Sequence, residues 1–159
     1  MPELLIMIGV PGAGKTTWCK ENIFNTKKKY VSRDEIRFSL LEEGDEYFSK
    51  EDEVCKIFYN TITNYLKEGY DVVADATHLN AASRKKLINN VDGYTSVMGM
   101  LIETPLEECL ANNEKRKGTR SYVPRSVIRR MATQLSFPGV DEPYFTGIFT
   151  ATRTKEEEK

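Results

Sequence analysis

The sequence predicts a three-layer α/β fold with a mainly parallel sheet. Two observations carry that expectation. Short apolar runs of strand length alternate along the chain with longer segments of helical periodicity, the pattern of strands joined by crossover helices. The first of these runs, Leu4 to Ile8, is continuously apolar, as a strand covered on both faces should be, and leads directly into "GVPGAGKTTW".

The elements follow in order. The glycine stretch and "KTTWCKENIF" read as loop into helix, and a second short strand ends near "KKYVS". In "RDEIRFSLL", Ile36, Leu40 and Leu41 recur at helical spacing. Val54, Ile57, Phe58, Ile62, Tyr65 and Leu66 mark one face of a longer helix with an acidic start, which suits the helix dipole, and Gly69 stops it. "YDVVADAT" is strand-like, "NAASRKKLINNV" helical and "YTSVMGMLI" strand-like again. "TPLEECLANNEKRK" places Thr104 and Pro105 in capping position, with Glu107 and Glu108 in the first turn. "GTRSYVP" breaks that helix, and another starts behind Pro124. Phe137 to Thr150 reads as a turn-rich return ending in the apolar "GIFT". The expected organisation is one domain over residues 1–150 and a charged, frayed tail over 151–159.

Composition narrows the function classes. With 159 residues and 40% apolar content, the chain has enough material for one real core. The apolar run near the amino terminus is too short for a membrane span and lacks a basic leader, so a cytoplasmic protein without a membrane partner is expected. Cys19, Cys55 and Cys109 are widely spaced without a CxxC pair, which suggests reduced packing thiols. A formal net charge of -1 argues against general coating of nucleic acid, although a local basic groove is compatible with it.

The glycine stretch fits G-x-x-x-x-G-K-[ST] through Gly9, Gly14, Lys15 and Thr16 and lies between a strand and a helix, as that motif requires. Gly9, Gly12, Ala13 and Gly14 let successive backbone N–H groups turn toward an anion, at the positive end of the following helix. Lys15 is expected to reach the β- and γ-phosphates of ATP, Thr16 to ligate Mg2+, and Thr17 to touch the α-phosphate. Asp75, at the end of "DVVAD", is either a second magnesium residue or a capping or buried structural acid. No guanine-reading N-K-x-D or D-x-x-G switch is present, which disfavours a GTPase.

On the acceptor side, "YVSRDEIR" puts Asp34 and Arg37 three residues apart on one helical face. A kinase acting on an alcohol needs a carboxylate within reach of the hydroxyl, and Asp34 is the candidate base. Arg37 has the fork to hold an acceptor phosphate. Spacing alone reads equally as an N-cap with a surface ion pair. "KRKGTRSYVPRSVIRR" contains no acid and carries Lys115, Arg116, Lys117, Arg120, Arg125, Arg129 and Arg130. It is either a solvated face or a lid that brings an arginine onto the transferring phosphoryl group.

As a set, "GVPGAGKTTW", "VSRDEIR", "DATHLN" and "NNEKRKGTRSYVP" resemble the kinase module of phage-type polynucleotide 5'-hydroxyl kinases, within the P-loop kinase group. The resemblance spans roughly Leu4 to Gln134. It implies ATP-dependent transfer of the γ-phosphoryl group to the 5'-hydroxyl of DNA or RNA ends. Lys15 and Thr16 then serve the donor with magnesium, Asp34 is the general base, and Arg37 holds the acceptor's 3'-phosphate. The lid arginine falls on Arg116 in Asn113 to Arg116, with Arg120 the alternative in a longer lid. The D-x-D-x-T motif of a 3'-phosphatase is missing, so end phosphorylation without dephosphorylation is implied. Two rivals stand beside this reading: a small-molecule kinase of the same fold, acting on a nucleoside, antibiotic or sugar nucleotide, and a regulatory ATP-binding module. His78, the sole histidine, is improbable as a metal ligand but fits a loop near either substrate, and no protein partner follows from the sequence.

Overall fold

The structure, a computed structural model, describes residues 2–139 and 141–152. Among the described residues eleven elements follow one another: β1 (Glu3–Ile8), α1 (Lys15–Asn22), β2 (Lys29–Ser32), α2 (Arg33–Leu40), α3 (Glu51–Lys67), β3 (Val72–Asp75), α4 (Ala81–Asn90), β4 (Ser96–Glu103), α5 (Leu106–Glu114), α6 (Arg125–Gln134) and β5 (Gly147–Thr152). The five strands form one sheet in the order β2-β3-β1-β4-β5, and every pairing is parallel. Helices on both faces complete the three-layer α/β fold.

The continuous apolar run of β1 hides a division of labour that pleating produces. Leu4, Ile6 and Ile8 enter a core with Phe58, Ile62 and Leu66 of α3 and Leu87 of α4. Leu5 and Met7 point the other way, to Cys19, Ile23, Ile102 and Cys109. The central strand therefore joins both helical layers, and its carboxyl end delivers the glycine stretch to the rim formed by the strands' carboxyl ends. Such an end is where open α/β sheets hold ligands.

Local chemistry sets several boundaries. α1 closes earlier than its apolar sequence suggests, because the Ile23 and Phe24 amides both turn back to the Cys19 carbonyl. At α2 the cap is Ser32, whose hydroxyl accepts from the Glu35 amide at 3.2 Å, so Asp34 is not the capping residue. At α4, Asn80 and Ser83 form a reciprocal capping box. Thr104 does not cap α5; its hydroxyl donates to the Ala13 carbonyl at 2.6 Å and ties that helix's start to the glycine loop.

The largest difference from expectation lies at the carboxyl end. The turn-rich return ends in a strand pairing with β4 from Met98 with Gly147 to Glu103 with Thr152. Ala151 and Thr152, expected in the tail, thus belong to the sheet, and 153–159 lie outside the described residues. A buried ion pair fixes the approach to this strand: Arg84 of α4, with no exposed surface, donates to both oxygens of Glu142, to the His78 carbonyl and to Ser136 Oγ. Cys19, Cys55 and Cys109 are free, and burial pushes the Cys19 and Cys109 thiols up to about 12 and about 11. No helix among the described residues is long and apolar enough to cross a membrane.

Candidate active site

The loop after β1 is shaped by contacts that leave no room for side chains. Gly12 has φ of +85°, and a Cβ there would stand 2.4 Å from the Cys109 carbonyl oxygen. Gly14, at φ 102°, sets the left-handed turn from which α1 departs. The Gly9 amide donates to the Thr77 carbonyl at 3.0 Å, and Asn112 Nδ2 donates to the Gly12 carbonyl at 2.9 Å. The segment that follows β3 and helix α5 thus hold the loop from two sides.

Lys15 opens α1, and its ammonium donates to the Val10 carbonyl at 3.0 Å. Burial pushes its pKa below the ordinary lysine value, opposed by the Asp75 and Asp34 carboxylates. A phosphate chain in the loop would stabilise the ammonium form that burial disfavours. Thr16 Oγ1 lies 3.2 Å from Asp75 Oδ2 at the carboxyl end of β3, and Tyr30 donates to the same oxygen. Asp75 is 5% exposed and caps no helix. A hydroxyl and a carboxylate so placed are hard oxygen donors of the kind a magnesium ion takes.

Helix α2 carries the two residues expected on the acceptor side, Asp34 and Arg37. Asp34 is paired with Arg37, as the spacing predicts, but two further residues enter that spacing does not announce. Glu51, at the start of α3, accepts from Arg37 Nε at 3.1 Å and from its terminal nitrogen at 2.7 Å. Tyr47 accepts from Arg37 at 2.8 Å and donates to Asp34 Oδ1 at 2.5 Å. Only the acidic start of α3 hinted at a partner for Arg37 in the sequence. Arg37, read from the resemblance as a free phosphate ligand, is 3% exposed and fully engaged.

The basic segment between α5 and α6 closes over these groups. Its base is pinned by Asn113, which is fully buried and exchanges bonds of 2.6 Å and 3.0 Å with the Val123 carbonyl and amide. Arg116 faces inward: it lines the cleft with Gly12, Lys15, Asp34 and Asp75, and also a neighbouring recess with Ala13, Thr17 and Asn112. Arg120, the alternative donor residue, departs from that expectation. It donates to the Leu41 carbonyl at 2.6 Å and lies 5.6 Å from the Phe38 ring, lining a separate groove beside α2. The cleft thus gathers Lys15, Thr16, Asp34 and Arg116 around one hollow.

His78 sits under the site and lines neither hollow. It is 1% exposed, adopts φ 43°, and its Nδ1 lies 2.8 Å from the Met7 carbonyl, so Nδ1 carries the proton. Burial, with Arg33 nearby, lowers its pKa from 6.5 to about 3. The unfolded chain therefore binds a proton that the folded chain refuses between those values. Its contribution is full above pH 6.5 and declines by about 1.4 kcal/mol per pH unit as the pH falls toward 3. Thermal melts of the wild type from pH 7.5 to 4.5 should show that decline, and His78→Asn should flatten it; parallel pH curves would remove His78 as its source.

Comparisons with known proteins agree with this architecture. The chain is 27% identical over 131 residues to a protein of Autographa californica nuclear polyhedrosis virus assigned as a bifunctional polynucleotide kinase/RNA ligase, covering 71% of this chain and 18% of that one. It therefore spans under a fifth of that relative. A chain in the structure of the Pnkp1/Rnl/Hen1 RNA repair complex matches with TM-score 0.73 and 27% identity, over 84% of this chain and 44% of that chain. A sugar kinase from Janibacter sp. shares the fold over 99% of this chain and 89% of its own, with TM-score 0.68 and 18% identity. The fold is that of the P-loop kinase group, whose glycine loop binds nucleotide. The family model for the AAA domain matches residues 4–138, and the chain belongs to that family.

Proposed function

We propose that the chain is an ATP- and magnesium-dependent kinase that moves the γ-phosphoryl group to an acceptor hydroxyl held over Asp34. The observation that carries this reading is the convergence of the glycine loop, Asp34 and Arg116 on one cleft. In it, Lys15 and the loop amides bind the donor phosphates and Asp34 aligns the hydroxyl and accepts its proton. Arg116 meets the charge on the transferring group. Thr16 and Asp75 are the residues that would hold magnesium, which when bound neutralises charge across the β- and γ-phosphates.

Two acceptors are in contention. The 27% identity to two proteins with polynucleotide or RNA repair in their names supports a 5'-hydroxyl end of DNA or RNA. The near-complete overlap with a stand-alone sugar kinase fold supports a small-molecule acceptor such as a nucleoside or sugar, and this reading stands at least level. Incubation with γ-labelled ATP, magnesium and a 5'-hydroxyl oligonucleotide, beside a 5'-phosphorylated control, nucleosides and sugars, decides between them. Label on the 5'-hydroxyl strand alone establishes the polynucleotide reading. Label confined to a small molecule transfers the proposal to that class, and label on none of them refutes the kinase reading for these acceptors.

A further inference from the structure

Two hydroxyls from different elements converge on one oxygen of Asp75. Thr16, in the first turn of α1, donates to Oδ2 at 3.2 Å, and the Tyr30 phenol donates to the same atom. Oδ1 takes no hydrogen bond among the described residues, and Asp75 lines the cleft. Thr16 has a single hydroxyl proton, and an ionised carboxylate can only accept it. With that proton engaged by Asp75, the lone pairs of Thr16 stay open to a cation. The direction of the Thr16 hydroxyl therefore depends on where the Asp75 carboxylate stands.

Tyr30 is placed to hold that carboxylate. β2 and β3 run parallel with Tyr30 opposite Val73 and Ser32 opposite Asp75, so Tyr30 and Asp75 face the same side of the sheet, two residues out of step. A long side chain is needed to span the step, and the phenol spans it. Ser32, directly opposite Asp75, is engaged elsewhere as the cap of α2. The Tyr30 ring is itself fixed: it is half-buried, packs against the core that contains Cys19 and Val73, and meets Phe24 edge-on with 4.9 Å between centroids.

We propose that Tyr30 is a positioning residue for divalent-cation binding: it fixes Asp75 and, through Asp75, the orientation of the Thr16 hydroxyl. That role rests on the kinase reading, in which Thr16 and Asp75 hold magnesium, and it falls to a residue that does not line the cleft. β2 also leads directly into α2, so the strand that steadies the cation's ligands carries the candidate base at its far end.

Calorimetric titration with a non-hydrolysable ATP analogue, in excess magnesium and again in EDTA, gives a ratio of affinities that reports the metal's contribution without turnover. Magnesium should tighten binding to the wild type. Tyr30→Phe keeps the ring and its packing against Phe24 and removes only the hydroxyl. It should cut the ratio by about 10-fold, as loss of support behind a metal ligand does, with the EDTA affinity unchanged. Asp75→Asn should cut the ratio too, and Tyr30→Phe added to it should change little further, because the partner of the phenol is already altered. In turnover, Tyr30→Phe should raise the magnesium concentration needed for half-maximal rate and leave kcat at saturating magnesium close to wild type. A ratio unmoved by Tyr30→Phe, an equal loss of affinity in EDTA, or a full Tyr30→Phe effect in the Asp75→Asn background overturns the positioning role and leaves the kinase reading standing. A wild-type ratio of one removes the cation from Thr16 and Asp75 and overturns both.

Discussion

Asp34→Asn is expected to lower kcat by about 10²- to 10⁴-fold, the range in which a positioned general base contributes, with ATP affinity nearly unchanged. The exchange keeps the size of the side chain and its capacity to accept from Arg37 and Tyr47, so the clamp around it survives while the proton acceptor is lost. Asp34 also lies close enough to Lys15 to affect its charge, and removing a carboxylate beside a polyphosphate site does not weaken anion binding. Single-turnover transfer together with calorimetric ATP binding separates the two effects. A large loss of ATP affinity at preserved kcat would contradict the base assignment.

Arg116→Ala is expected to have the largest effect of any lid substitution, about 10³- to 10⁵-fold on kcat, by analogy with arginines that meet the transferring phosphoryl group in GTPases. The geometry motivates choosing Arg116 over Arg120: the first opens on the glycine loop and the second is held by the Leu41 carbonyl. Arg116→Lys retains the charge without the planar fork and should recover only part of the rate. Side-by-side kcat values for Arg116→Ala and Arg120→Ala decide the matter, and a deeper loss at Arg120 would reverse the assignment.

Much of the architecture was legible because its signals are local. The apolar run of β1, the helical periodicity of α3 and the glycine spacing each report on a few neighbouring residues. β5 was not legible as a strand. It lies at the sheet's edge with Phe149 and Thr150 exposed, so it lacks the apolar continuity that betrays a covered strand. The same distinction divides the site. Lys15, Thr16, Asp34 and Arg116 sit in motifs whose spacing is chemical, whereas Glu51 and Tyr47 reach Arg37 from 14 and 10 residues away in an ordinary acidic, aromatic stretch. No sequence pattern distinguishes a glutamate that begins a helix from one that takes an arginine's fork.

The pairing of Arg84 with Glu142 bears on where this polypeptide can be cut. The stretch matched by the family model stops at residue 138, a natural place to trim an expression clone. Such a cut removes the carboxylate that answers a guanidinium with no exposed surface, and it also strips the parallel neighbour from β4. Losing one member of a buried pair typically costs about 3–5 kcal/mol, a large part of the margin of a small domain. Glu142 and β5 are thus tied into the core and the sheet, and truncation at residue 138 is expected to destabilise what remains.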